Sequence, residues 1–288
     1  MTTTAPTTAP SIADKRRSFH QLHQSGCFAI PNPWDVGSAR WLQGLGFKAL
    51  ASTSSGLAWS RGYADNHITR DMALAHLHDL VAATDIPVNA DFENGYAIDA
   101  AGVEESVHLA LQTGVAGLSI EDSTGDAARP LFTIEEASER MRAARRAIDR
   151  AGGDALLVGR AECFLVGRPD LDETIARLHA YAHAGADCLY APGIRTPEQI
   201  SAVVRAVAPR PVNLLMSTPG GLTLSDIAAL GVRRVSVGGA LARAAWGGFM
   251  RAAKLLADSG SFDGFVGAAA GQELNQFFAA DAKARALD

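Results

Sequence analysis

Cysteine, long apolar runs and an excess of basic residues are all lacking in this chain of 288 residues. Its three cysteines, Cys27, Cys163 and Cys188, show no CxxC spacing, which argues against a disulfide framework and for a reducing, cytoplasmic location. No apolar run approaches the ~20 residues that a membrane-spanning helix needs. The formal net charge of -5 argues against a nucleic-acid partner, because such proteins usually carry a basic face.

Lysine is also scarce, and its positions bear on the chemistry. The chain has four lysines, Lys15, Lys48, Lys254 and Lys283, and none of them follows a predicted strand. An enzyme that forms a Schiff base with its substrate needs a lysine in the active site. The sequence therefore argues against a Schiff-base aldolase and favours chemistry in which a metal ion stabilises an enolate.

Short apolar runs alternate with amphipathic stretches along the chain. Eight runs predict strands: CFAIP (27–31), KALAST (48–53), PVNADF (87–92), GLSIED (117–122), ALLVGRAE (155–162), CLYAPG (188–193), PVNLLM (211–216) and RRVSVGG (233–239). Parallel strands that are buried on both faces and separated by helices produce this pattern. The sequence therefore predicts an α/β fold, a (β/α)8 TIM barrel. An open doubly wound sheet is the alternative, and the absence of GxGxxG after the first strand counts against it.

The two ends of the chain differ from its middle. Residues 1–17 are rich in Thr, Ala and Pro and are predicted to form a disordered arm. Residues 18–288 are predicted to form one barrel domain with a helical tail, because the Ala-rich sequence after Ala240 exceeds the one helix that closes a barrel. The additional C-terminal helices are candidates for packing on a partner subunit.

Polar side chains follow four consecutive predicted strands. In a barrel of this class the carboxyl ends of the strands form one rim, and the chemistry takes place there. A hydroxyl-rich loop at 52–56 follows the second strand and leads to an acidic residue. The charged candidates at this rim are Asp65, Asp91, Glu93, Glu121, Arg160 and Glu162.

Asp91 and Glu93 stand two residues apart, so their charges repel unless solvent, a basic partner or a cation offsets them. Carboxylate oxygens from several strands suit a hard cation, which indicates Mg²⁺ or, as an alternative, Mn²⁺. Zinc is disfavoured, because no His or Cys pair with ligand spacing lies near these carboxylates. Structural alternatives stay open: Asp122 could cap the next helix, and Arg160 could form an ion pair with Glu121 or Glu162.

Glycines provide a competing interpretation. The segment STPGG (217–221) follows the seventh predicted strand, and Gly238 and Gly239 end the eighth. Barrels that bind phosphate hold it at this place, so a phosphosugar or flavin enzyme is an alternative. Glycine is also common at barrel corners for backbone reasons alone, which weakens this signal.

Five motifs, in the right order, resemble those of the isocitrate lyase / phosphoenolpyruvate mutase superfamily. SSGLAWSRGYAD (54–65) resembles the loop that binds the 2-oxo carboxylate and then supplies an Asp. DFENGY (91–96) resembles its metal motif, and SIED (119–122) its strand-four Glu motif. GRAECFLVG (159–167) resembles its Arg-bearing segment, and AHAGADCLYAPG (182–193) its A-x-A-G-A-D signature. The resemblance extends from about Phe28 to about Gly239.

The resemblance implies a Mg²⁺-dependent barrel that makes or breaks a C–C or P–C bond next to a 2-oxo acid, through an enolate. It also implies a homotetramer, often with the last helix exchanged between subunits. By position in the motifs, Asp91 would contact Mg²⁺ directly. Glu93, Glu121 and Asp65 would hold the ion or its waters.

The resemblance also implies how the substrate binds. Ser55, Gly56 and Leu57 would bind its carboxylate, and Arg160 would stabilise both the carboxylate and the developing oxyanion. Asn213, in the seventh predicted strand, is a further candidate for binding the substrate.

The chain departs from the family where the general acid or base is expected. Its gate segment DSTGDAARPLF (122–132) lacks the Lys, Cys and His of the lyases and the Lys and Asn of the mutases. The Glu that many lyases carry after strand six is replaced by Tyr190, Ala191 and Pro192. Tyr190 and Arg129 are the candidates for the missing catalytic role, beside Arg160 and Glu121.

The sequence therefore predicts a Mg²⁺-dependent lyase that cleaves a C–C bond of a 2-hydroxy or 2-oxo (di)carboxylate. Within the same superfamily, a P–C mutase or hydrolase and an oxaloacetate decarboxylase are alternatives. A ligand-binding barrel without lyase activity is an alternative of another class, because the gate chemistry is missing.

Overall fold

Eight strands and eleven α-helices alternate along residues 9–285, the part of the chain that this computed structural model describes. The strands are β1 (Phe28–Ile30), β2 (Leu50–Ala51), β3 (Val88–Asp91), β4 (Gly117–Glu121), β5 (Leu156–Arg160), β6 (Cys188–Tyr190), β7 (Val212–Leu215) and β8 (Arg234–Ser236). The helices are α1 (Ile12–Gln24), α2 (Val36–Gly44), α3 (Ser54–Ser60), α4 (Arg70–Ala83), α5 (Ala100–Gln112), α6 (Ile134–Arg150), α7 (Leu171–His183), α8 (Pro197–Val207), α9 (Leu224–Ala229), α10 (Ala240–Ser259) and α11 (Gly271–Arg285), with a 3₁₀ helix at Asp263–Phe265.

The strands form one parallel sheet in the order β1-β8-β7-β6-β5-β4-β3-β2. The amide of Ala51, in β2, donates to the carbonyl of Pro31, just after β1, at 3.1 Å, which brings the two edges of the sheet together. This arrangement confirms the predicted (β/α)8 barrel and all eight predicted strands. The observed strands are shorter than the predicted runs, because their outer residues already belong to the connecting loops.

Alternation along β4 shows how the barrel separates its core from its site. Leu118 and Ile120 belong to the apolar core shared with the helices, and each fully buried side chain of this kind contributes about 1.5–3 kcal/mol. Ser119, between them, lines a cavity inside the barrel. Successive side chains of a strand point to opposite faces, so one strand supplies both layers.

Helix α1 closes the N-terminal end of the barrel, and it corrects the prediction for residues 1–17. Phe19 is fully buried among interior residues of the strands. The disordered arm is wrong for the part from Ile12 onward, because Ser11 and Asp14 form a capping box and Arg16 donates to Asp154 at 2.8 Å. A good cap and buried partners outweigh the composition here. Residues 1–8 of the predicted arm lie outside the described residues.

Helices α10 and α11 confirm the additional C-terminal helices. Helix α11 packs on α2, where the rings of Trp41 and Phe277 have centroids 4.5 Å apart and Arg40 Nε donates to Asp281 at 2.9 Å. Helix α10 exposes apolar side chains instead, among them Phe249. Exchange of a helix between subunits stays a prediction. Within residues 9–285, no helix combines the length and the apolar character needed to cross a membrane.

Candidate active site

A cavity of about 270 Å³ lies at the carboxyl ends of the strands. Five of the residues predicted from the sequence line it: Ser55, Asp65, Asp91, Arg160 and Tyr190. They come from β3, β5, β6 and the segment after β2, so the barrel brings together side chains that are far apart in the sequence. Gly56, Leu57, Glu93, Glu121 and Asn213 are buried behind this surface, and Arg129 lies on the exposed segment at 122–132.

Arg160, the last residue of β5, is the centre of the charged side chains. Its Nη1 donates to Asp91 Oδ1 at 3.1 Å and lies 3.1 Å from Glu121 Oε2, while its Nε donates to Glu162. Burial opposes the charge of Arg160, but Glu121 and Glu162 raise its pKa well above the ordinary value. The ion pairs considered as the structural alternative are therefore formed. Nη2 forms no hydrogen bond within residues 9–285, so this end of the guanidinium can donate to a ligand.

Asp91 is held at the cavity by the start of α3. The backbone amide and the hydroxyl of Ser54 both donate to Asp91 Oδ2 at 2.9 Å. The amide of Asp91 donates in turn to Ser52 Oγ at 2.8 Å. The hydroxyl-rich segment after β2 therefore orients this carboxylate. The sequence alone assigns no individual role to Ser52 and Ser54; the available signal is that their segment follows β2, the strand that pairs with β3.

Glu121 and Glu93 lie behind Asp91 and Arg160. Burial raises the pKa of Glu121 well above its ordinary value, and Arg160 opposes this shift. Glu93 has a φ of 45°, in the left-handed region, and its backbone carbonyl accepts from the Glu121 amide at 2.9 Å. Burial, and then the charge of Asp91, raise the pKa of Glu93 to about 7. Its Oε1 and the hydroxyl of Tyr96 are both buried without a well-formed hydrogen bond in the described part of the chain, and Tyr96 is close enough to oppose the rise in the pKa of Glu93.

Asp65 reaches the same cavity from the loop between α3 and α4. The residue is exposed and lines the edge of the cavity. Burial of this group, and then the charge of Asp91, raise its pKa. Asp65 and Asp91 therefore repel each other as long as no cation lies between them.

The arrangement of the carboxylates suits a cation that keeps part of its water shell better than a metal ion coordinated only by side chains. Between residues 9 and 285, no three His, Cys, Asp or Glu side chains are arranged to hold a metal ion directly. Mg²⁺, however, keeps several waters and binds through one or two carboxylates. Such an ion would offset the repulsion between Asp65 and Asp91, and a water that it holds would give the buried oxygen of Glu93 a partner. The all-oxygen donor set therefore suits Mg²⁺.

The predicted carboxylate-binding segment is only partly at the cavity. Ser55 lines it, and its hydroxyl lies 3.1 Å from Thr53 Oγ1. The amides of Gly56 and Leu57 donate to the side chain and the carbonyl of Thr53, at 3.2 and 3.0 Å, within the first turn of α3. Gly56 is needed here because a Cβ would come within 2.6 Å of Thr53 Cγ2 and 2.9 Å of Trp34 Cβ. Gly56 and Leu57 thus support the helix, and Ser55 reaches the cavity.

Asn213 is fully buried and lies beneath the cavity surface. It donates to Ser236 Oγ at 3.0 Å and accepts from Arg234 Nε at 2.8 Å. The structure therefore does not bring this predicted substrate-binding residue to the cavity. Its position instead fixes the side chain of Arg234.

Tyr190 and Arg129, the two candidates for the missing acid or base, lie in different surroundings. The guanidinium carbon of Arg160 lies 5.2 Å from the ring centroid of Tyr190. Burial raises the pKa of Tyr190 to about 12, against the effect of Arg160, so the phenol keeps its proton at neutral pH. Arg129 is on the exposed gate segment and donates to both oxygens of Glu136 at 2.9 Å. Of these two candidates, Tyr190 lines the cavity and Arg129 does not.

Asp122 does not cap the next helix, so that alternative is wrong. Thr133 caps α6, whereas Asp122 is 1% exposed and accepts from Arg177 Nη1 at 3.0 Å and from the Glu162 amide at 2.8 Å. Tyr181 donates to the same carboxylate. Glu121 and Asp122 point to opposite faces because they are consecutive at the end of a strand.

Two arginines that line the cavity, Arg234 and Arg243, are not among the residues predicted from the sequence. Arg243 lies in the first turn of α10, and Arg234 is the first residue of β8. The signal for Arg234 was a charged residue at an interior position of a strand, two residues before Ser236, which lines the same cavity. For Arg243 the sequence offered no such periodicity.

Comparisons with known proteins agree on one family. The model of the family described as phosphoenolpyruvate phosphomutase matches residues 19–257. A Burkholderia cenocepacia protein, whose crystal structure has the provisional description lyase/mutase, is 50% identical, with a TM-score of 0.90 over 93% of this chain and 97% of that one.

Two further proteins that are similar to this chain are named as enzymes of oxaloacetate. The oxaloacetate decarboxylase of Paraburkholderia xenovorans is 31% identical over 229 residues, which cover 77% of this chain and 74% of that protein. A structure of oxaloacetate acetylhydrolase in complex with the product oxalate is 25% identical, with a TM-score of 0.83 over 96% of this chain and 99% of that one.

Proposed function

Because the chain belongs to the phosphoenolpyruvate phosphomutase family, within the isocitrate lyase / phosphoenolpyruvate mutase superfamily, we propose that it is a Mg²⁺-dependent lyase that breaks a C–C bond next to a 2-oxo acid. One observation supports this above all: Arg160 joins three carboxylates and still presents unpaired donors to a cavity. The two relatives named for reactions of oxaloacetate add support for a small carboxylate substrate.

The residues around the cavity would bind and stabilise an enolate. When the C–C bond breaks, its electron pair passes into the 2-oxo acid and places negative charge on the former carbonyl oxygen. The other fragment leaves as a carbonyl compound after its hydroxyl gives up a proton, or as CO₂ without a proton. Arg160 Nη2 and the Ser55 hydroxyl are the donors that face this region. Preorganised donors of this kind contribute about 2.7–4 kcal/mol each to transition-state stabilisation.

Mg²⁺ would supply the positive charge that the enolate oxygen needs. Asp91 would hold it directly, and Glu93, Glu121 and Asp65 would hold it or its waters, with Mn²⁺ as an alternative ion. Ser54 fixes the Asp91 carboxylate in place for this role. The ionised form of Glu93 is disfavoured by burial and by Asp91, so a cation would recover part of that cost.

Tyr190 would return a proton to the enolate carbon. Its pKa of about 12 makes it a donor and not a base at neutral pH. Arg160, stacked over its ring, would stabilise the phenolate that remains after the transfer.

Decarboxylation of a 2-oxo dicarboxylate is the second candidate, and the gate segment favours it. CO₂ leaves as a neutral molecule without a proton, so only the enolate carbon must be protonated. Residues 122–132 offer no Lys, Cys or His for a second proton transfer, and Arg129 is engaged with Glu136. A P–C mutase or hydrolase has no such supporting contact.

Thermal unfolding with Mg²⁺, oxalate and both together tests the proposed site. Oxalate resembles the enolate of pyruvate, and a ligand at a hundred times its Kd adds about 2.7 kcal/mol to stability. We expect a large shift only when both components are present. No shift with the pair, at concentrations that saturate related enzymes, would contradict an enolate and metal site.

Turnover of 2-oxo and 2-hydroxy acids separates an enzyme from a ligand-binding barrel. We expect oxaloacetate to be consumed in the presence of Mg²⁺, and Asp91→Ala to abolish this activity. Asp79→Ala, on the exposed surface of α4, is the matched control and should keep it. Binding of oxalate without turnover of any donor would support the ligand-binding alternative.

A homotetramer in the cytoplasm stays a prediction. The exposed apolar side chains of Trp246, Phe249 and Met250 on α10 support an oligomer, because monomers rarely leave such groups together in water. Light scattering of the intact chain checks this, and a monomeric mass at micromolar concentration would contradict it.

A further inference from the structure

Arg234 places a buried positive charge at the floor of the cavity. It is 2% exposed, and its guanidinium lies 6.0 Å from the ring of Phe19, the residue that closes the N-terminal end of the barrel. Nε donates to Asn213 Oδ1 at 2.8 Å, and Nη1 donates to Asn89 Oδ1 at 3.3 Å. Both acceptors are neutral amides.

Within residues 9–285, three of the four other buried arginines have an acidic partner, and the fourth, Arg140, donates to the backbone carbonyls of Asn94, Ala97 and Ile98. Arg16, Arg40 and Arg177 form salt bridges with Asp154, Asp281 and Asp122, respectively. Arg234 forms none with any carboxylate of residues 9–285. Burial lowers its pKa, but a guanidinium stays charged in a protein. An unpaired buried charge is costly, and an apolar side chain of similar volume would fill the same space at less cost.

The remaining donors of Arg234 face space that a ligand can reach. A guanidinium has five N–H groups, and the two hydrogen bonds to asparagine use two of them. Nη2 has no partner within the described residues. Arg234 and Arg160 line the same cavity, one at the floor and one at the rim, and Ser119 and Ser236 add hydroxyls near the floor.

We propose that Arg234 is a specificity-determining residue that binds a second acid group of the substrate at the floor of the cavity. This inference rests on the proposed function and narrows its substrate to a dicarboxylate. One carboxylate binds at the rim beside Arg160 and Ser55, and the other extends along the barrel axis to Arg234. Asn89 and Asn213 hold the guanidinium in place for this contact.

Matched acids with one and two carboxylates test the proposal. Calorimetric titrations in the presence of Mg²⁺ would compare lactate with malate and with its longer homologue 2-hydroxyglutarate. We expect the better of the two dicarboxylates to bind about ten- to hundredfold more tightly than lactate, the range for a hydrogen bond to a charged group. Equal affinities in the wild type would overturn the proposal.

Substitution of Arg234 then tests whether this residue causes the preference for dicarboxylates over lactate. Arg234→Met should reduce the difference between lactate and the dicarboxylate to less than about threefold, with oxalate binding unchanged, because oxalate, as the enolate mimic, would bind at the rim beside Arg160 and Ser55. Arg233→Met is the matched control, since this neighbour is only half-buried and donates to the carbonyl of Gly26. If Arg234→Met does not fold, Arg234→Gln keeps an amide donor toward Asn213 and is used instead. A preference that persists in a folded variant assigns Arg234 a purely structural role and overturns the proposal.

Two controls separate the remaining explanations. If chloride stabilises the wild type but not the variant, and no dicarboxylate preference exists, the floor holds an inorganic anion and the proposal fails. If oxalate with Mg²⁺ does not bind the wild type, the proposed function fails. If oxalate binds and the dicarboxylate preference is absent, the inference about Arg234 fails alone.

Discussion

Two arginine–carboxylate networks lie on opposite faces of the strand ends of β4 and β5, and they differ in completeness. In the outer network, formed by Asp122, Glu173, Arg177 and Tyr181, the arginine donates through Nε and Nη2 to Glu173 and through Nη1 to Asp122. Nη1 also donates to the carbonyl of Phe132 at 2.8 Å. All three nitrogens are therefore used.

The inner network, formed by Asp91, Glu121, Arg160 and Glu162, is incomplete. Three carboxylates share one guanidinium, Nη2 of Arg160 has no partner within residues 9–285, and a neighbouring oxygen of Glu93 is buried without one. The same residue types thus form a support on one face and a candidate site on the other. Unsatisfied groups beside a cavity, and not the presence of charged residues, distinguish the two.

The largest expected effect is a loss of stability in the outer network. Asp122→Ala leaves Arg177 and Tyr181 without their shared acceptor, and breaking a buried pair from one side costs about 3–5 kcal/mol. Urea unfolding would measure this, with Asp172→Ala on the exposed start of α7 as the control. A loss below about 1 kcal/mol would show that the outer network does not support the fold.

A smaller effect, on catalysis, is expected in the inner network. Arg160→Lys keeps the positive charge near the three carboxylates but loses the planar fork, so kcat/KM should fall about 10²–10³-fold. Its unfolding free energy should change by about 1 kcal/mol or less. Arg177→Lys should show the reverse pattern, with lower stability and nearly unchanged activity. Equal effects of both substitutions on activity would remove the distinction between the networks.

The smallest expected effect is a dependence of the free energy of unfolding on pH. The folded pKa of Glu93, about 7, lies above the ordinary 4.5, so between these values the folded state binds more protons than the unfolded state. Stability of the metal-free protein should therefore fall as pH rises through this window, by up to about 3 kcal/mol. Glu93→Gln should flatten the dependence, and Glu135→Gln, on exposed α6, should not. Urea unfolding in EDTA at several pH values measures both, and an unchanged slope in Glu93→Gln would contradict the shift.

The strands and the rim carboxylates could be predicted because both follow from local rules. Continuous apolar runs between amphipathic stretches indicate buried parallel strands, and the end of each strand fixes which residues meet. The start of α1 was missed, although the sequence SIAD (11–14) contains the residues of its capping box. Composition was given more weight there than a specific cap.

Contacts across the barrel could not be predicted. Whether Asp122 caps a helix or accepts from Arg177 depends on where α7 packs, and nothing local to residue 122 encodes that. Arg233 and Arg234 are neighbours of the same residue type, yet one is half-buried and the other lines the floor of the cavity. The pairing register of β8 decides between them, and a shift of one residue would exchange their roles.

The gate segment at 122–132 begins and ends at one fixed point. The amide of Phe132 donates to the carbonyl of Asp122 at 2.9 Å, and Arg177 bonds to both residues. Its interior, by contrast, is largely exposed. Lengthening such a loop is thermodynamically inexpensive, since each doubling costs only about 0.6 kcal/mol. Because both ends of this segment are fixed by the barrel, its interior can be replaced by loops of other length and sequence. New catalytic groups can therefore be introduced there, by engineering or by evolution, without changes to the barrel.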